Sequence, residues 1–570
     1  MPPLERRSAD LRALADERWD VVVVGGGIVG AGVLLDATSR GLRAALVEQD
    51  DIASGTSGRS SRLIHGGLRY LEQLRFGLVR EALRERARLL RLAPHLVRME
   101  PFLFPIYGLS FVHRPFYDAG LTLYDLLGGR LDGGPHGHLS VQQALALTPD
   151  LRLTGLRGAF VYRDGVEDDA RYALAVVRTA RERGAVAVTR ARALGPLGGD
   201  PPGGEPSGSR IGGIRVRDGL SGEELEVRAE RVIDATGVWA ARAGPFGDRS
   251  IPILPSRGSH VVVRRERIPS QLGVTIRVPG RVVFVVPWPG HWVIGTTDVA
   301  YDGPVDRPSA SPAEVDEILA TVNRTLEVDL TLDDVVGAYA GLRPLVASGR
   351  NGSTVKASRE HRVRVEPDGL VRIGGGKYTT YRVMARDAVD AALGQDEARR
   401  RPSATSDLTL VGAADRADLD SLARNLESEH GFSALLADRL VDRHGTEATQ
   451  VVALGQEQGL LRPLTVGVDV LEAEVAWAAR EELALSLDDF LARRTRLALE
   501  QPDRGASLSR RAAALLGAEL GWEADRLERE VPAYLASACR EFDVHETLGP
   551  VPSHEPELAP VTADPYGEHG

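Results

Sequence analysis

Trp19-Asp20-Val21-Val22-Val23-Val24 runs straight into Gly25-Gly26-Gly27-Ile28-Val29-Gly30, and this junction limits what the chain can fold into more than any other stretch. A β-branched run stops at a glycine cluster, Ala31 to Arg40 reads as a helix, and a second apolar run, Ala44-Ala45-Leu46-Val47, ends at Glu48. Strand, glycine turn, helix and strand, with a carboxylate about 20 positions after the glycines, form a dinucleotide-binding unit. Each part has a physical task. Gly25 allows the tight turn, Gly27 lets backbone approach a diphosphate, and Gly30 lets helix and strand pack closely. The helix start directs N–H groups at the phosphates, and Glu48 can accept from a ribose hydroxyl.

The 570 residues exceed one ordinary core, so two or three domains are expected. A net charge of −10 argues against a general nucleic-acid binder, which needs a basic bias. Cys539 is the only cysteine, which excludes a disulfide frame, a Cys-based zinc site and paired redox thiols; no metal is expected in the active site. No stretch approaches the roughly 18 apolar residues of a membrane span. The start, Met1 to Arg7, lacks the apolar core of a secretion signal. A cytoplasmic protein is expected. Lys356 and Lys377 are the only lysines in a chain that otherwise uses arginine. Lys377 sits in the glycine turn Gly374-Gly375-Gly376-Lys377-Tyr378-Thr379-Thr380, where a compact point charge differs from a planar fork. Lys356 has no such setting and reads as a surface residue.

Periodicity predicts a helix over 76–93, closed by Pro94, and another starting near Arg114. Residues 101–127 are rich in aromatics. Asp169 to Arg183 reads as a helix, Ala185 to Val188 as a strand, and the Gly/Pro-rich tract 195–209 as a solvent loop within a hairpin. Arg231 to Gly237 is a strand entering a second glycine turn. Runs at 261–264, 282–286 and 292–295 look like antiparallel sheet inserted between the nucleotide-binding pieces. The charged tract 394–406 marks a boundary, 415–542 is helical in pattern, and the Pro- and Glu-rich end should be disordered. The expected architecture is α/β with an α+β insert: a Rossmann-like dinucleotide-binding domain, an interleaved antiparallel-sheet substrate domain and an α-helical C-terminal domain. The expected bounds are an extension over 1–17, a main domain over 18–395, a helical domain over 405–548 and a tail over 549–570. Within the main domain, dinucleotide-binding parts are placed near 18–75, 150–255 and 340–395, and substrate-binding parts near 76–149 and 256–339.

Only one glycine pattern has the strand and helix a dinucleotide needs. Enzymes that pass electrons from a nicotinamide to a flavin generally need a second, so one tightly held FAD is the better reading than NAD. The tract Ser54 to Leu71 is dense in glycine and hydroxyls, then ends in Leu63-Ile64-His65-Gly66-Gly67-Leu68-Arg69-Tyr70-Leu71. Glycines there let a flat ring lie against backbone, and the hydroxyls can serve phosphates and ring carbonyls.

With these blocks in view, the chain resembles the FAD-dependent glycerol-3-phosphate dehydrogenase family. The matching residues are Gly25 to Gly30, Thr56 to Tyr70, Val166 to Arg171, Ala235 to Trp239, Gly258-Ser259-His260, Gly295 to Asp298, Gly341 to Leu345 and Gly375 to Arg382. They come in family order over about 18–395, and the helical region resembles the family's C-terminal cap. Departures are Val29, where many relatives have Asn, Arg62, where many have Lys, and Gly58-Arg59 in the serine-rich loop. No extra insert of the oxygen-using oxidases is seen.

The resemblance implies oxidation of sn-glycerol 3-phosphate to dihydroxyacetone phosphate, with the C2 hydride passing to non-covalently held FAD. The substrate is a small dianion, so Arg69, Arg343 and Lys377 are the candidate cations, with Tyr70 and Thr379 orienting it. The proton acceptor should titrate near neutrality, which favours His65 or His260. Around the cofactor we expect Gly25, Gly27, Gly30 and Glu48, then Thr56, Ser57, Ser61, Leu63, His65, Gly66 and Gly67. Thr236, Gly237, Gly375, Lys377 and Thr379 complete that set. The resemblance further implies a quinone electron acceptor and peripheral contact with the inner face of the cell membrane, for which 101–127 and the amphipathic stretch 4–19 are candidates; a homodimer is left open. The rival readings are an oxygen-using glycerol-3-phosphate oxidase, another single-dinucleotide amine or hydroxy-acid oxidase, and a catalytically silent flavin-binding protein.

Overall fold

A computed structural model describes residues 1–67, 75–108, 113–128, 134–199, 210–242, 244–247, 251–279, 281–347 and 360–544. The tail 549–570, Lys356, Arg69, Tyr70 and the hairpin tip 200–209 lie outside these residues.

Two sheets organise the oxidoreductase part. The first contains eight described strands, in the order His361–Val365, Val371–Gly375, Glu224–Asp234, Arg18–Val24, Ala44–Val47, Val186–Val188. From Val371–Gly375 to Val186–Val188 neighbours run parallel, and Val24 is in register with both Val47 and Asp234. That alignment brings the ends of three strands together beside the glycine turn. The hairpin Ala191–Gly199/Arg210–Asp218 extends the sheet antiparallel. Parallel strands covered on both faces become continuous apolar runs, and Val21 to Val24 are all buried. The helices Ile28–Ser39, Asp169–Glu182 and Tyr381–Leu393 supply much of one cover.

The second sheet, ten described strands and mostly antiparallel, follows the order Val299–Ala300, Ile253–Arg264, His291–Gly295, Arg281–Trp288, Gly273–Val278, Val97–Tyr107, Leu156–Glu167, Leu63–Ile64. Val335–Val346 and Gly137–Leu139 pair onto it. This is the inserted antiparallel sheet expected from the sequence. Its membership differs from the sequence bounds in three places: Leu63–Ile64, Leu156–Glu167 and the second half of Val335–Val346 belong here, although 18–75, 150–255 and 340–395 were placed with the nucleotide-binding parts.

The stretch 4–19 leaves Leu4 exposed but packs most of its apolar side chains against the protein. The helix Pro3–Asp16 turns these inward, with Leu14 fully buried and Leu11 and Ala13 against the core under Trp19. Arg7 Nη2 reaches Asp218 Oδ1 at 2.5 Å. Residues 97–107 are also spent internally, as a strand whose Phe102 and Leu103 are fully buried. The tract 394–406 is more than a linker, since it carries the helix Gln395–Arg400 and the buried Thr405.

Helices between Arg416 and Phe542 form the C-terminal region, and charge ties it to the first sheet. Asp51, fully buried after the strand Ala44–Val47, accepts from Arg493 Nε at 2.6 Å and from Arg494 Nη1 and Nη2 at 2.7 and 2.9 Å. Despite its burial, the charges of Arg494 and Arg493 hold the Asp51 carboxyl well below its ordinary range. Arg496 bonds Asp168, Asp169 and the Gly58 carbonyl. Removing one partner from a buried ion pair costs about 3–5 kcal/mol, because the other charge stays desolvated. Asp51→Asn is therefore expected to lower unfolding stability by about that amount. A change within about 0.5 kcal/mol in urea unfolding would show that the clamp contributes nothing.

Candidate active site

The ends of the parallel strands and the face of the second sheet enclose a cavity of about 1010 Å³. It lies at the upper end of the range for small-molecule sites and runs between two chemically different walls.

At one wall stands the glycine turn. Gly25 has φ +110°, and a Cβ there would lie 2.7 Å from the Ala235 carbonyl oxygen. Gly27 faces the cavity, and the nearest atom to an added Cβ is Ser57 Oγ at 3.1 Å. Gly30 does not line the cavity; a Cβ there would meet Gly25 O at 1.9 Å, so its role is contact between helix and turn. Glu48 lines the cavity and also secures the turn, with Oε2 accepting from Gly26 N at 2.5 Å and Oε1 from Asp50 N at 2.8 Å. Burial raises its pKa to about 7 against those two hydrogen bonds. Ser57 Oγ accepts from Ile28 N at 2.9 Å, capping the helix start. Thr56 Oγ1 donates to Leu342 O at 2.6 Å. Thr236 and Gly237 line the same wall, Thr236 fixed by two bonds to Asp234 Oδ1.

At the other wall, Ser61, Leu63, His65, His260, Arg343, Lys377 and Thr379 all face the one cavity. Two successive left-handed glycines, Gly375 at φ +80° and Gly376 at +82°, turn the chain out of Val371–Gly375 and deliver Lys377 to it. Arg343 comes from Val335–Val346, with Nη1 donating to Thr297 O at 3.2 Å and Nη2 to Thr296 Oγ1 at 3.0 Å. Its guanidinium occupies space that Gly258 leaves, since a Cβ there would lie 2.5 Å from Nη2. Asp298 stands 3.7 Å away.

The two histidines differ in environment. His260 is buried, stacks on Tyr339 at 4.7 Å between centroids, and shares a 2.8 Å hydrogen bond between Nε2 and Ser61 Oγ. Burial, then the charges of Arg343 and Arg62, pull its pKa down to about 3. His65 is half-buried after the strand Leu63–Ile64, with its ring 6.3 Å from that of Phe284.

Gly66 and Gly67 need correcting, for neither lines the cavity. Gly66 is packed from behind: its N–H donates to the Tyr124 hydroxyl at 2.8 Å, and a Cβ would lie 2.4 Å from Leu83 Cδ2. Gly67 has φ +81°, a turn position. Sequence reasoning missed Arg192 and Arg217 and gave Trp239 only as part of a matching block; all three line the cavity, and Trp239 Nε1 donates to Asp306 Oδ1 at 2.8 Å.

A parallel-sheet dinucleotide site that delivers Lys377 and opens onto an antiparallel sheet carrying His260 and Arg343 defines a single-dinucleotide flavin oxidoreductase. Residues 20–390 match the FAD dependent oxidoreductase family, and 403–527 match the C-terminal domain of alpha-glycerophosphate oxidase. Glycerol-3-phosphate dehydrogenase 2 of Mycobacterium tuberculosis is 44% identical over 535 residues, covering 93% of this chain and 90% of that protein. The mitochondrial glycerol-3-phosphate dehydrogenase of Bos taurus is 36% identical, covering 93% and 74%. The solved glycerol-3-phosphate dehydrogenase of Bacillus halodurans, complexed with FAD, has a TM-score of 0.76 at 26% identity, covering 96% of this chain and 99% of that one. The chain belongs to the FAD-dependent glycerol-3-phosphate dehydrogenase family.

Proposed function

We infer that the protein oxidises glycerol 3-phosphate to dihydroxyacetone phosphate with FAD as its cofactor. One observation carries the reading: His65, Arg343, Lys377 and Thr379 share a single cavity with the glycine turn. The residues present fit FAD. Gly27 leaves room for a diphosphate, the helix start at Ile28 faces it, and the methyl-free Gly25 keeps the turn clear of Ala235. When bound, FAD supplies the acceptor for the C2 hydride.

The protein groups position the substrate, offset charge and move a proton. Lys377 and Arg343 hold the phosphate dianion, Lys377 as a point charge and Arg343 through its fork. Thr379 orients the substrate beside them. His65 takes the C2 hydroxyl proton. His260, held neutral and tied to Ser61, is a positioning residue. Glu48 accepts from the ribose.

Electrons leave to a quinone reached by peripheral membrane contact. No described helix is long and apolar enough to cross a membrane. With 3–16 and 97–107 packed internally, contact is assigned to the face of the helix His113–Gly128 that exposes Leu126.

Adding glycerol 3-phosphate anaerobically to the yellow protein should bleach the flavin band, and an unchanged spectrum would favour the silent flavin-binding reading. Turnover with a quinone analogue but not with dioxygen separates dehydrogenase from oxidase. Lys377→Ala and Arg343→Ala should each raise KM by roughly 10- to 150-fold, the loss of about 1.5–3 kcal/mol of charged hydrogen bonding, with a smaller effect on kcat. A fall in kcat at unchanged KM would remove both from phosphate binding.

A further inference from the structure

Away from the flavin cavity, the helix His113–Gly128 and the segment entering the strand Gly137–Leu139 bring together a cluster the proposed reaction does not use. Asp118 and Asp125 lie seven residues apart, two helical turns, and so on one face. His136 and His138 are two residues apart in extended chain, which places their side chains on one side. Asp118 Oδ1 stands 3.0 Å from His136 Nε2 and 2.7 Å from His138 Nε2. The other nitrogen of His136, Nδ1, is 2.6 Å from Asp125 Oδ2, which also accepts the His136 backbone N–H at 2.9 Å.

This arrangement fixes the chemistry of His136. Asp125 holds the Nδ1 proton and sets the ring orientation, so in the neutral imidazole Nε2 presents a lone pair. That lone pair faces a carboxylate oxygen, which also presents one. His138 can meet Asp118 as a neutral Nε2–H donor, so the feature that stands out is geometric: two imidazole nitrogens and one carboxylate oxygen converge on a single point. A carboxylate behind a ligating histidine is the usual support of a metal-bound imidazole.

We propose that Asp118, His136 and His138 form a zinc(II) site, with Asp125 as its orienting partner. Two imidazole nitrogens and one carboxylate oxygen suit zinc rather than calcium or magnesium, which prefer oxygen ligands. The three ligand atoms lie within 4.8 Å of one another. Zinc bonds of about 2.0–2.1 Å in a tetrahedron require ligand edges of roughly 3.3 Å, so the two edges at Asp118, 3.0 and 2.7 Å, must lengthen by roughly 0.3 and 0.6 Å. The Asp118 and His138 side chains, each 43% exposed, are able to move that far. The fourth position then faces solvent. A metal here would tie the helix His113–Gly128 to the segment entering the strand Gly137–Leu139. None of the three ligands lines the flavin cavity, and the proposal does not depend on the reaction assigned there.

The test uses chelator-treated, FAD-loaded full-length protein, titrated with zinc chloride in equilibrium dialysis with metal analysis. We expect one zinc per chain, and a rise in Tm on adding zinc. His138→Ala, at an exposed position, should weaken binding at least 100-fold while leaving glycerol 3-phosphate oxidation unchanged. Asp125→Asn should weaken it by roughly 10- to 100-fold. Cobalt(II) in place of zinc should show tetrahedral ligand-field bands that His138→Ala removes. Absence of zinc uptake at micromolar concentration would overturn the proposal. So would equal uptake and affinity in wild type and His138→Ala, which would place the metal elsewhere.

Discussion

Gly30→Ala is expected to yield protein without bound flavin. The new methyl carbon would sit 1.9 Å from Gly25 O and 3.0 Å from Gly25 C, both backbone atoms of the turn. Neither can swing aside as a side chain would. The helix Ile28–Ser39 must back away from the strand Arg18–Val24, or the turn must open, and either displaces the amides that face the diphosphate. Overpacking of this kind costs about 1–3 kcal/mol in a core that can shift, and more where backbone opposes backbone. Gly27→Ala is the informative partner. Its methyl meets only Ser57 Oγ at 3.1 Å, so the fold should survive while the space for the diphosphate shrinks. The expected pair of outcomes is an unstable colourless protein for Gly30→Ala and a stable, flavin-poor one for Gly27→Ala, read from absorbance and thermal unfolding. Flavin retained at the wild-type level in Gly27→Ala would mean that the diphosphate does not approach this turn.

The second large effect concerns the proton. General-base catalysis contributes typically ~10²–10⁴-fold, so His65→Ala should slow flavin reduction by about that factor with little change in substrate affinity. His260 is the weaker base, because burial and the charges of Arg343 and Arg62 pull its pKa down to about 3. His260→Gln should therefore lose much less of the rate than His65→Ala, even though its contact with Ser61 changes. Wild-type reduction rates in His65→Ala across pH would remove His65 as the base.

What was legible in the sequence was local or periodic. The fingerprint appears as strand Arg18–Val24, helix Ile28–Ser39 and strand Ala44–Val47, because glycine spacing and β-branched runs act within a few residues. The helix Phe76–Leu92 follows its apolar period. The shared wall of His65, Arg343 and Lys377 was reached through motif blocks, although 312 positions separate His65 from Lys377. Long-range pairing left no local signal. Nothing around Asp51 announces two arginines more than 440 positions later. The block Val166 to Arg171 gave no hint that Asp168, Asp169 and Arg171 bond the C-terminal helices. Gly66 looked like a flavin contact because it sits beside His65; its reason is Leu83 and Tyr124 behind it. The stretch 4–19 was misjudged because an amphipathic pattern does not say which surface will cover it.

The clamp around Asp51 has a consequence for how this protein could be cut or joined. A fragment ending near residue 402 would look like a complete minimal oxidoreductase by its strand pattern. It would nonetheless keep Asp51, Asp168 and Asp169 while discarding Arg493, Arg494 and Arg496. Three carboxylates would lose the arginines that offset them, leaving Asp51 buried without a counter-charge and Asp168 and Asp169 repelling each other. The helical half is thus a keystone, and gene fission at the apparent joint would produce two pieces that must find each other before either can work.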